Sequence, residues 1–197
     1  MATVVVPFRG SDAKQRLALG AAGRRLLAEA MLADVVDAAT RVGRVLVVGD
    51  ALPALASSVE VVPDPGRGQG AAVTAGLAAA GASAPDAAYL IVNADLPCAG
   101  ARDLLALAGA VPENGLALAP ARDGTTNALA LVDPSLFEPL YGPGSAQRFA
   151  ALAPARLVDA PNLVDDVDTL DDLAHLGSRV GEHTRRALTS LDLPFAA

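Results

Sequence analysis

Cysteine and tryptophan are almost missing from this sequence of 197 residues. It contains one cysteine, Cys98, and no tryptophan. One cysteine cannot form a disulfide within the chain, and it cannot build a zinc site from cysteine ligands. Hydrophobic residues nevertheless make up 52% of the sequence, and charged residues only 19%. This composition argues against disorder, and the length suits one domain with a real core.

Positive charge is also scarce. The chain has 15 basic and 22 acidic residues, which gives a formal net charge of −7 at pH 7, and its sequence pI is near 4.7. A protein that coats nucleic acid or binds a membrane surface through basic residues is therefore not expected. No apolar run approaches the roughly 20 residues of a membrane span, and residues 1–7 lack the basic start and long apolar stretch of a signal peptide. We therefore expect a soluble, cytoplasmic protein with neither nucleic acid nor membrane as a partner.

Lysine is the rarest charged residue, because 14 of the 15 basic residues are arginine and one is Lys14. Such a composition keeps a lysine either by chance or where something other than charge is needed. The loop after the first predicted strand, residues 7–17, also holds Arg9 and Arg16. Three cations in one loop can wrap a polyphosphate. Lys14 would act as a compact point charge, and each planar guanidinium could form two parallel hydrogen bonds to a phosphate. An ordinary solvated loop is the alternative, and the Walker A and dinucleotide-binding glycine motifs are both missing.

Short β-branched runs alternate along the chain with alanine-rich stretches of helical spacing. The predicted strands are residues 3–6, 44–48, 59–62, 89–92, 116–119, 128–132 and 156–158. The predicted helices are residues 21–41, 70–80, 101–110, 134–140, 145–152 and 169–176. Strands that alternate with helices imply an α/β fold with a mostly parallel sheet covered on both faces. We expect one domain over residues 1–180 and a C-terminal tail over residues 181–197, either docked or frayed.

A glycine-rich turn follows the third predicted strand, where residues 63–70 read PDPGRGQG. Ligands of open α/β sheets bind where strands end. Glycine lets the backbone approach a ligand closely, and the helix that starts at Gly70 points a partly positive N-terminus toward it. Gln69 could read the edge of a base. A proline- and glycine-rich turn that simply enters a helix explains the segment equally well.

Aspartates stand at two places that suit a metal ion. Asp95 follows the fourth predicted strand in the segment NADLP, while Asp166 and Asp168 share one side of an extended segment before a helix. Aspartate oxygens are common ligands of Mg²⁺, so we expect Asp95 to bind a metal ion, and the alternation of Asp166 and Asp168 suits the same role. The alternative is that the aspartates only cap the helices that follow them. Cys98, beside Asp95, is interpreted as a small buried hydrophobe rather than a nucleophile.

Two further segments contain groups that bind anions. The segment DGTTN offers the hydroxyls of Thr125 and Thr126 and the amide of an asparagine, which suit a phosphate or carboxylate. The turn at Gly142 leads into a predicted helix that starts at Ser145 and carries Arg148 one turn on. Free N–H groups at a helix start bind anions. A hairpin turn of β-prone threonines and a simple serine cap are the alternatives.

Each of these motifs is weak alone, but their order along the chain is distinctive. The segments are VPFRG, AKQRL, PDPGRGQGAAV, NADLP, DGTTNAL, YGPGSAQRF and DDVDTLDDL. Over residues 3–177 this ordered set resembles the CofC/FbiD family, the guanylyltransferases that activate 2-phospho-L-lactate or phosphoenolpyruvate for coenzyme F420 biosynthesis. The resemblance implies a three-layer α/β sandwich with a mostly parallel mixed sheet. This is the Rossmann-like nucleotidyltransferase fold of the glycosyltransferase-A and MobA-like type.

The resemblance also implies a role for each candidate residue. Those that would hold one or two Mg²⁺ ions are Asp95, Asp166 and Asp168. Those that would bind the nucleotide are Arg9, Lys14, Arg16, Asp64, Gly68, Gln69 and Gly70. Those that would bind the phosphorylated acid are Thr125, Thr126, Gly142, Ser145 and Arg148. The two implied for catalysis are Lys14 and Asp95.

The implied reaction is the Mg²⁺-dependent transfer of GMP from GTP to phosphoenolpyruvate or 2-phospho-L-lactate, with release of pyrophosphate. The implied partners are GTP and a small phosphorylated three-carbon acid. A nucleotidyltransferase with a molybdopterin-type acceptor and a non-catalytic nucleotide-binding regulator are the alternatives. The sequence is compatible with a homodimer and leaves the oligomeric state open.

Overall fold

A seven-stranded sheet organises the chain. The computed structural model describes residues 1–10, 14–50, 58–81 and 87–193. Its strands are β1 (Ala2–Pro7), β2 (Gly43–Val48), β3 (Val59–Val62), β4 (Tyr89–Val92), β5 (Leu116–Pro120), β6 (Thr126–Leu131) and β7 (Ala155–Leu157). Their order across the sheet is β3-β2-β1-β4-β6-β5-β7. Within the described ranges only β6 runs against its neighbours, so the sheet is mixed and mostly parallel, as predicted.

Helices connect the strands and cover both faces of the sheet. They are α1 (Ala21–Thr40), α2 (Gln69–Ala80), α3 (Ala101–Gly109), α4 (Ser145–Ala150), α5 (Pro161–Val164), α6 (Leu170–Leu176) and α7 (Glu182–Ser190). Side chains alternate across a strand. Accordingly, Val4 and Val6 of β1 pack in the cluster formed with α1 and α3, while Val5 packs in the cluster formed with α2 and α4. These two cores on opposite faces confirm the three-layer α/β sandwich. Among the helices of the described ranges, none is long and apolar enough to cross a membrane.

The C-terminal stretch is docked rather than frayed where it forms α7. This helix packs against α1, and the apolar cluster beside it includes Leu27 and Met31 of α1. The buried carboxylate of Asp34, also on α1, accepts hydrogen bonds from the backbone N–H groups of His183 and Thr184, both at 2.9 Å. N–H groups in the first turn of a helix have no partner within that helix. An aspartate on the buried face of α1 thus caps a different helix.

Several predicted boundaries differ from the structure, and two of the differences have a clear physical reason. Strand β6 begins at Thr126, two residues earlier than predicted, because Thr126 joins the ladder beyond a register shift in β5. The helix predicted over residues 134–140 is only a 3₁₀ turn, Pro134–Leu136. Glu138 precedes Pro139, and a residue before proline is sterically disfavoured in the α region. The turn therefore cannot continue as a helix.

The segments that carry the predicted motifs meet at one edge of the sheet. Parallel strands end on the same side, so the chain after β1, β3 and β4 emerges there, and the antiparallel β6 starts there. The loop between α5 and α6 reaches the same edge, where the N–H of Val167 donates to the backbone carbonyl of Asp95 at 3.1 Å. The fold therefore assembles at this edge residues that are far apart in sequence.

Candidate active site

Three aspartates converge at this edge, and we call Asp95, Asp166 and Asp168 the carboxylate cluster. Asp95 follows the end of β4, and the other two lie in the extended segment that leads from α5 to α6. Val167 between them is fully buried, so its two neighbours point together to the other side of the extended backbone. One carboxylate oxygen from each aspartate lies within 4.8 Å of the others. The structure thus brings the three predicted metal ligands together.

The negative charges of the carboxylate cluster repel one another and therefore favour the binding of a cation. Burial raises the pKa of Asp166, and the negative charges of Asp95 and Asp168 raise it further. Oδ1 of Asp95 is buried and has no hydrogen-bond partner within the described residues. A buried carboxylate oxygen without a partner is unfavourable unless a donor or a metal ion satisfies it. Three convergent carboxylates with an unsatisfied oxygen fit a hard divalent cation such as Mg²⁺.

Lys14 supplies positive charge to the same cluster. Its Nζ lies 2.7 Å from Oδ2 of Asp95 and 2.9 Å from Oδ1 of Asp168, and the residue is 6% exposed. Burial alone would lower the pKa of the ammonium, but the attraction of the two carboxylates outweighs it and raises the pKa of Lys14. Arg16, with an exposed side chain, approaches Asp168 at 3.7 Å. The lysine expected beside a triphosphate therefore also bridges two of the predicted metal ligands.

A cleft of about 200 Å³ opens beside the carboxylate cluster. Its walls include Arg9, Gln69 and Asn93. Nε2 of Gln69 donates to Oδ1 of Asn93 at 2.7 Å, and Nδ2 of Asn93 donates to the backbone carbonyl of Thr126 at 3.2 Å. A carbonyl can only accept, so this series of bonds orients both amides. The acceptor atom of Gln69, Oε1, consequently points away from Asn93.

The glycine turn ahead of α2 is open on one side and tightly packed on the other. Gly66 and Gly68 have φ angles of +69° and +91°, which favour glycine, and a Cβ on either would meet no atom within 4 Å. This open backbone is accessible to a ligand. A Cβ on Gly70 would instead lie 2.4 Å from Cβ of Pro139, so close packing explains that glycine. Asp64 stabilises the turn by accepting a hydrogen bond from the N–H of Gly66 at 2.9 Å.

The residues predicted to bind the phosphorylated acid form a second group at the start of α4. Oγ1 of Thr126 and Oγ of Ser145 lie 3.1 Å apart, and both residues are buried. The N–H of Ser145 donates to the carbonyl of Gly142 at 3.0 Å. Gly144, with a φ of +72°, is the residue that caps α4. The alternative of a serine cap is therefore wrong, and Ser145 instead joins α4 to β6.

Two other residues of the predicted acceptor set are engaged in local bonds. The guanidinium of Arg148 donates to the carbonyls of Pro143 (2.6 Å) and Leu140 (2.8 Å) and so braces the turn before α4. Thr125 donates to Oδ1 of Asp123 through its hydroxyl (2.7 Å) and its N–H (2.9 Å). These two bonds lower the pKa of Asp123. Both side chains shape the loops that border the site.

A larger cleft of about 530 Å³ lies on another side of Asp166 and Asp168. On its wall the guanidinium of Arg122 contacts both carboxylate oxygens of Asp165, and Arg179 approaches the same carboxylate at 3.3 Å. Hydrogen bonding from Arg122 is the main cause that lowers the pKa of Asp165. The pair of Arg122 and Asp165 attaches the loop before β6 to the loop that carries two of the cluster's aspartates.

The sequence pattern predicts that the amide of Asn127 binds an acceptor anion, and it predicts no role for Asn93. The structure turns Asn127 toward the loop after α5, where its Nδ2 lies 3.4 Å from Oδ1 of Asp166. A signal for both residues is present in the sequence, because each stands in or beside a strand made mostly of apolar residues. A buried polar side chain in such a strand needs hydrogen-bond partners.

The chain is similar to known proteins over nearly its whole length. The model of the family described as "Guanylyl transferase CofC like" matches residues 2–192. A phosphoenolpyruvate guanylyltransferase of Roseiflexus sp. (strain RS-1) is 39% identical over 199 residues, which cover 92% of this chain and 86% of that protein. A 3-phospho-D-glycerate guanylyltransferase of Phenylobacterium zucineum (strain HLK1) is 36% identical over 211 residues, which cover 97% of each.

The fold is shared with more distant enzymes. The crystal structure of 2-C-methyl-D-erythritol 4-phosphate cytidylyltransferase from Thermus thermophilus matches with a TM-score of 0.58 at 20% identity, covering 94% of this chain and 98% of that one. A likeness at this identity shows the fold alone, and it confirms the predicted nucleotidyltransferase fold. The family match spans nearly the whole chain, and the two relatives above exceed 30% identity. The chain therefore belongs to the CofC-like guanylyl transferase family.

Proposed function

We propose that this protein transfers GMP from GTP to phosphoenolpyruvate, or to the related 2-phospho-L-lactate, in coenzyme F420 biosynthesis. One observation carries the proposal: in a chain of the guanylyl transferase family, the three carboxylates of the cluster converge beside an open cleft, and two of them contact Lys14. Carboxylates that hold a metal ion next to a fixed cation suit a reaction between two anions. GTP and phosphorylated three-carbon acids are cytoplasmic metabolites, so we also propose a cytoplasmic location.

We assign GTP to the cleft beside the carboxylate cluster. Arg9 and Lys14 line this cleft and bring positive charge to it, and the exposed guanidinium of Arg16 lies next to the cluster. The backbone at Gly68 is open enough for a phosphate or a ribose to approach closely. Gln69 lines the same cleft with its acceptor oxygen directed away from Asn93. In a protein of net charge −7, this concentration of cations favours a polyphosphate.

The attacking group needs no general base from the protein. The second pKa of a phosphate monoester is about 6, so the acceptor oxygen is largely ionised at neutral pH. This oxygen forms a bond to the α-phosphorus of GTP as the bond to the β-phosphate oxygen breaks, and pyrophosphate leaves with that electron pair. Repulsion between the two anions is the main barrier. Asp95, Asp166 and Asp168 would hold Mg²⁺, which when bound neutralises charge on the phosphates.

Lys14 contributes a fixed charge to the same step. Its ammonium lies within 3 Å of two carboxylates and offsets their negative charge before substrates arrive. Charge then grows on the departing pyrophosphate, and a buried ammonium interacts with it more strongly than an exposed one would. We therefore assign Lys14 to stabilisation of the leaving group.

We place the phosphorylated acid beside Thr126 and Ser145, in the space bordered by the loops at Thr125 and Gly142. The carbonyl of Thr126 is bonded to Asn93, which lines the cleft assigned to GTP, so the two substrates would be neighbours. The names of the two relatives differ in their acceptor, and a direct comparison of acceptors is therefore part of the test.

Release of pyrophosphate tests the proposal. The purified protein, with Mg²⁺ and GTP, is assayed with phosphoenolpyruvate, 2-phospho-L-lactate and 3-phosphoglycerate in parallel, and we expect the highest rate with one of the first two. Asp95→Ala should abolish release, while Asp171→Ala, which changes an exposed aspartate outside the carboxylate cluster, should keep the wild-type rate. Undiminished release by Asp95→Ala would remove the metal assignment. Failure of the wild-type protein with all three acceptors would contradict guanylyl transfer to these acids.

A further inference from the structure

Asn127 joins the two segments that carry the carboxylate cluster. It lies in β6 and is 1% exposed. Its backbone carbonyl accepts a hydrogen bond from the N–H of Asn93 at 3.0 Å, two residues before Asp95. Its side chain contacts the other segment, the loop that carries Asp166. One buried residue therefore has a bond to each of the segments whose separation determines the shape of the cluster.

The side-chain amide of Asn127 makes three contacts with that loop. Nδ2 donates to the backbone carbonyls of Leu163 and Val164, each at 3.0 Å, and lies 3.4 Å from Oδ1 of Asp166. The two carbonyls end α5, and the last carbonyls of a helix have no partner within it. The amide thus holds the chain where it leaves the helix and also orients the carboxylate that follows.

The three aspartates of the cluster are held in different ways. Lys14 contacts Asp95 and Asp168, and among the described residues it makes no such bond to Asp166. Among the described residues, Asn127 is the one whose side chain donates a hydrogen bond to the carboxylate of Asp166. Without this amide, Asp166 would keep its charge near the cluster but would lose the bond that fixes its orientation.

We propose that Asn127 is a positioning residue that fixes Asp166 relative to Asp95 and Asp168 and thereby sets the affinity of the carboxylate cluster for a divalent cation. The inference rests on the proposed metal site. Loss of a hydrogen-bond partner of a metal ligand typically weakens metal binding by about 10- to 100-fold. The side-chain amide of Asn127 contacts Asp166 and the end of α5 rather than the residues assigned to GTP, so its removal should change metal affinity and leave the KM for GTP at saturating metal unchanged.

Asn162 provides a matched control. It is an asparagine of α5, and its Nδ2 donates to Oδ2 of Asp103 on α3 at 3.1 Å. It therefore ties the same short helix to the protein through one amide bond, without a bond to the carboxylate cluster. The Mn²⁺ affinity of Asn162→Ala shows the effect of weakening the attachment of α5 alone. In Asn127→Ala the attachment of α5 is weakened and the bond to Asp166 is lost as well.

Direct binding of Mn²⁺ to the full chain, without nucleotide, measures the effect independently of catalysis. Titration followed by the electron paramagnetic resonance signal of free Mn²⁺ should show that Asn127→Ala raises the Kd about 10- to 100-fold, while Asn162→Ala changes it by about twofold or less. Asn127→Ser, which keeps a short donor for the α5 carbonyls, serves if the alanine variant does not fold. We expect the serine variant to bind Mn²⁺ weakly as well, because its hydroxyl is too short to reach Asp166.

A double variant separates positioning from general destabilisation. If Asn127 acts through Asp166, then adding Asn127→Ala to Asp166→Asn should raise the Mn²⁺ Kd by about twofold or less beyond the single Asp166→Asn variant. A full additional loss in that background would overturn the proposal, as would equal Kd values for Asn127→Ala and Asn162→Ala. If the wild-type chain binds no Mn²⁺, the metal site of the proposed function fails and this inference fails with it. Wild-type binding with an unaffected Asn127→Ala variant would overturn the positioning role alone.

Discussion

Lys14 and Asp95 are 81 residues apart in sequence, yet Nζ of the first lies 2.7 Å from Oδ2 of the second. The same ammonium reaches Asp168, 154 residues away, at 2.9 Å. A compact ammonium can serve two carboxylates from a buried position, whereas a planar guanidinium needs more room and a fixed direction for each bond. The chain's lone lysine therefore stands where the shape of the cation matters.

Lys14→Arg should raise the KM for GTP or lower kcat. The substitution keeps the charge, but at a site that is 6% exposed the larger guanidinium cannot keep both contacts without displacing a carboxylate. Steady-state kinetics with pyrophosphate as the measured product checks this. Arg41→Lys is the control, because Arg41 is exposed at the end of α1 and is not among the residues of the candidate site, and its kinetic constants should stay at the wild-type values. Wild-type kinetics for Lys14→Arg would mean that the lone lysine reflects composition.

Asp34→Ala should destabilise the protein by about 1–3 kcal/mol. The carboxylate is buried and accepts the N–H groups of His183 and Thr184, and its loss leaves buried donors without partners. Urea unfolding measures the effect. Asp37→Ala, on the same helix with its side chain 58% exposed and paired with His183, should cost less than about 0.5–1 kcal/mol. Equal losses for the two variants would contradict the capping role of Asp34.

Two glycine-to-alanine variants should have opposite effects on stability. Gly70→Ala places a Cβ 2.4 Å from Cβ of Pro139, and relieving that contact should cost about 1–3 kcal/mol. Gly109→Ala, in α3, meets no atom within 4 Å and should stabilise the protein by about 0.5–1 kcal/mol, because alanine favours the helix. Thermal or urea unfolding of both variants provides the comparison. A neutral Gly70→Ala would show that the glycine is not needed for packing against Pro139.

Cys98 should make the protein less stable at alkaline pH. Burial raises the pKa of its thiol to about 11, above the ordinary value near 8.5 of an unfolded chain. The unfolded chain releases this proton first, so the stabilising contribution of the thiol is complete below about pH 8.5 and is lost as the pH rises toward 11. The difference in unfolding free energy between the wild-type protein and Cys98→Ala, measured under reducing conditions, should shrink from pH 8 to pH 10.5. A constant difference would show that the folded thiol is not protected from ionisation.

The local pattern of the sequence was sufficient for most of the fold. Mostly apolar, β-branched runs predicted β1 and β4, whose residues are almost all buried, because strands buried on both faces by helices have no polar side. Helix α6 begins at Leu170, one residue later than predicted, and Thr169 caps it by accepting a hydrogen bond from the N–H of Asp172. These features depend on neighbours within a few residues. For the same reason the position of Asp95 at a strand end and the alternation of Asp166 and Asp168 could be recognised without a structure.

Contacts between distant segments required the tertiary structure. No local rule shows that Asp34 caps α7, since the aspartate and the N–H groups it binds are about 150 residues apart. Nor does the sequence indicate that Ser145 bonds to Thr126 instead of capping α4. Hydrogen bonds of this kind depend on how helices pack on the sheet, and packing follows from the shape of the whole core. The sequence by itself determined which chemical groups this protein brings to the edge of its sheet, and the fold determined which of them touch.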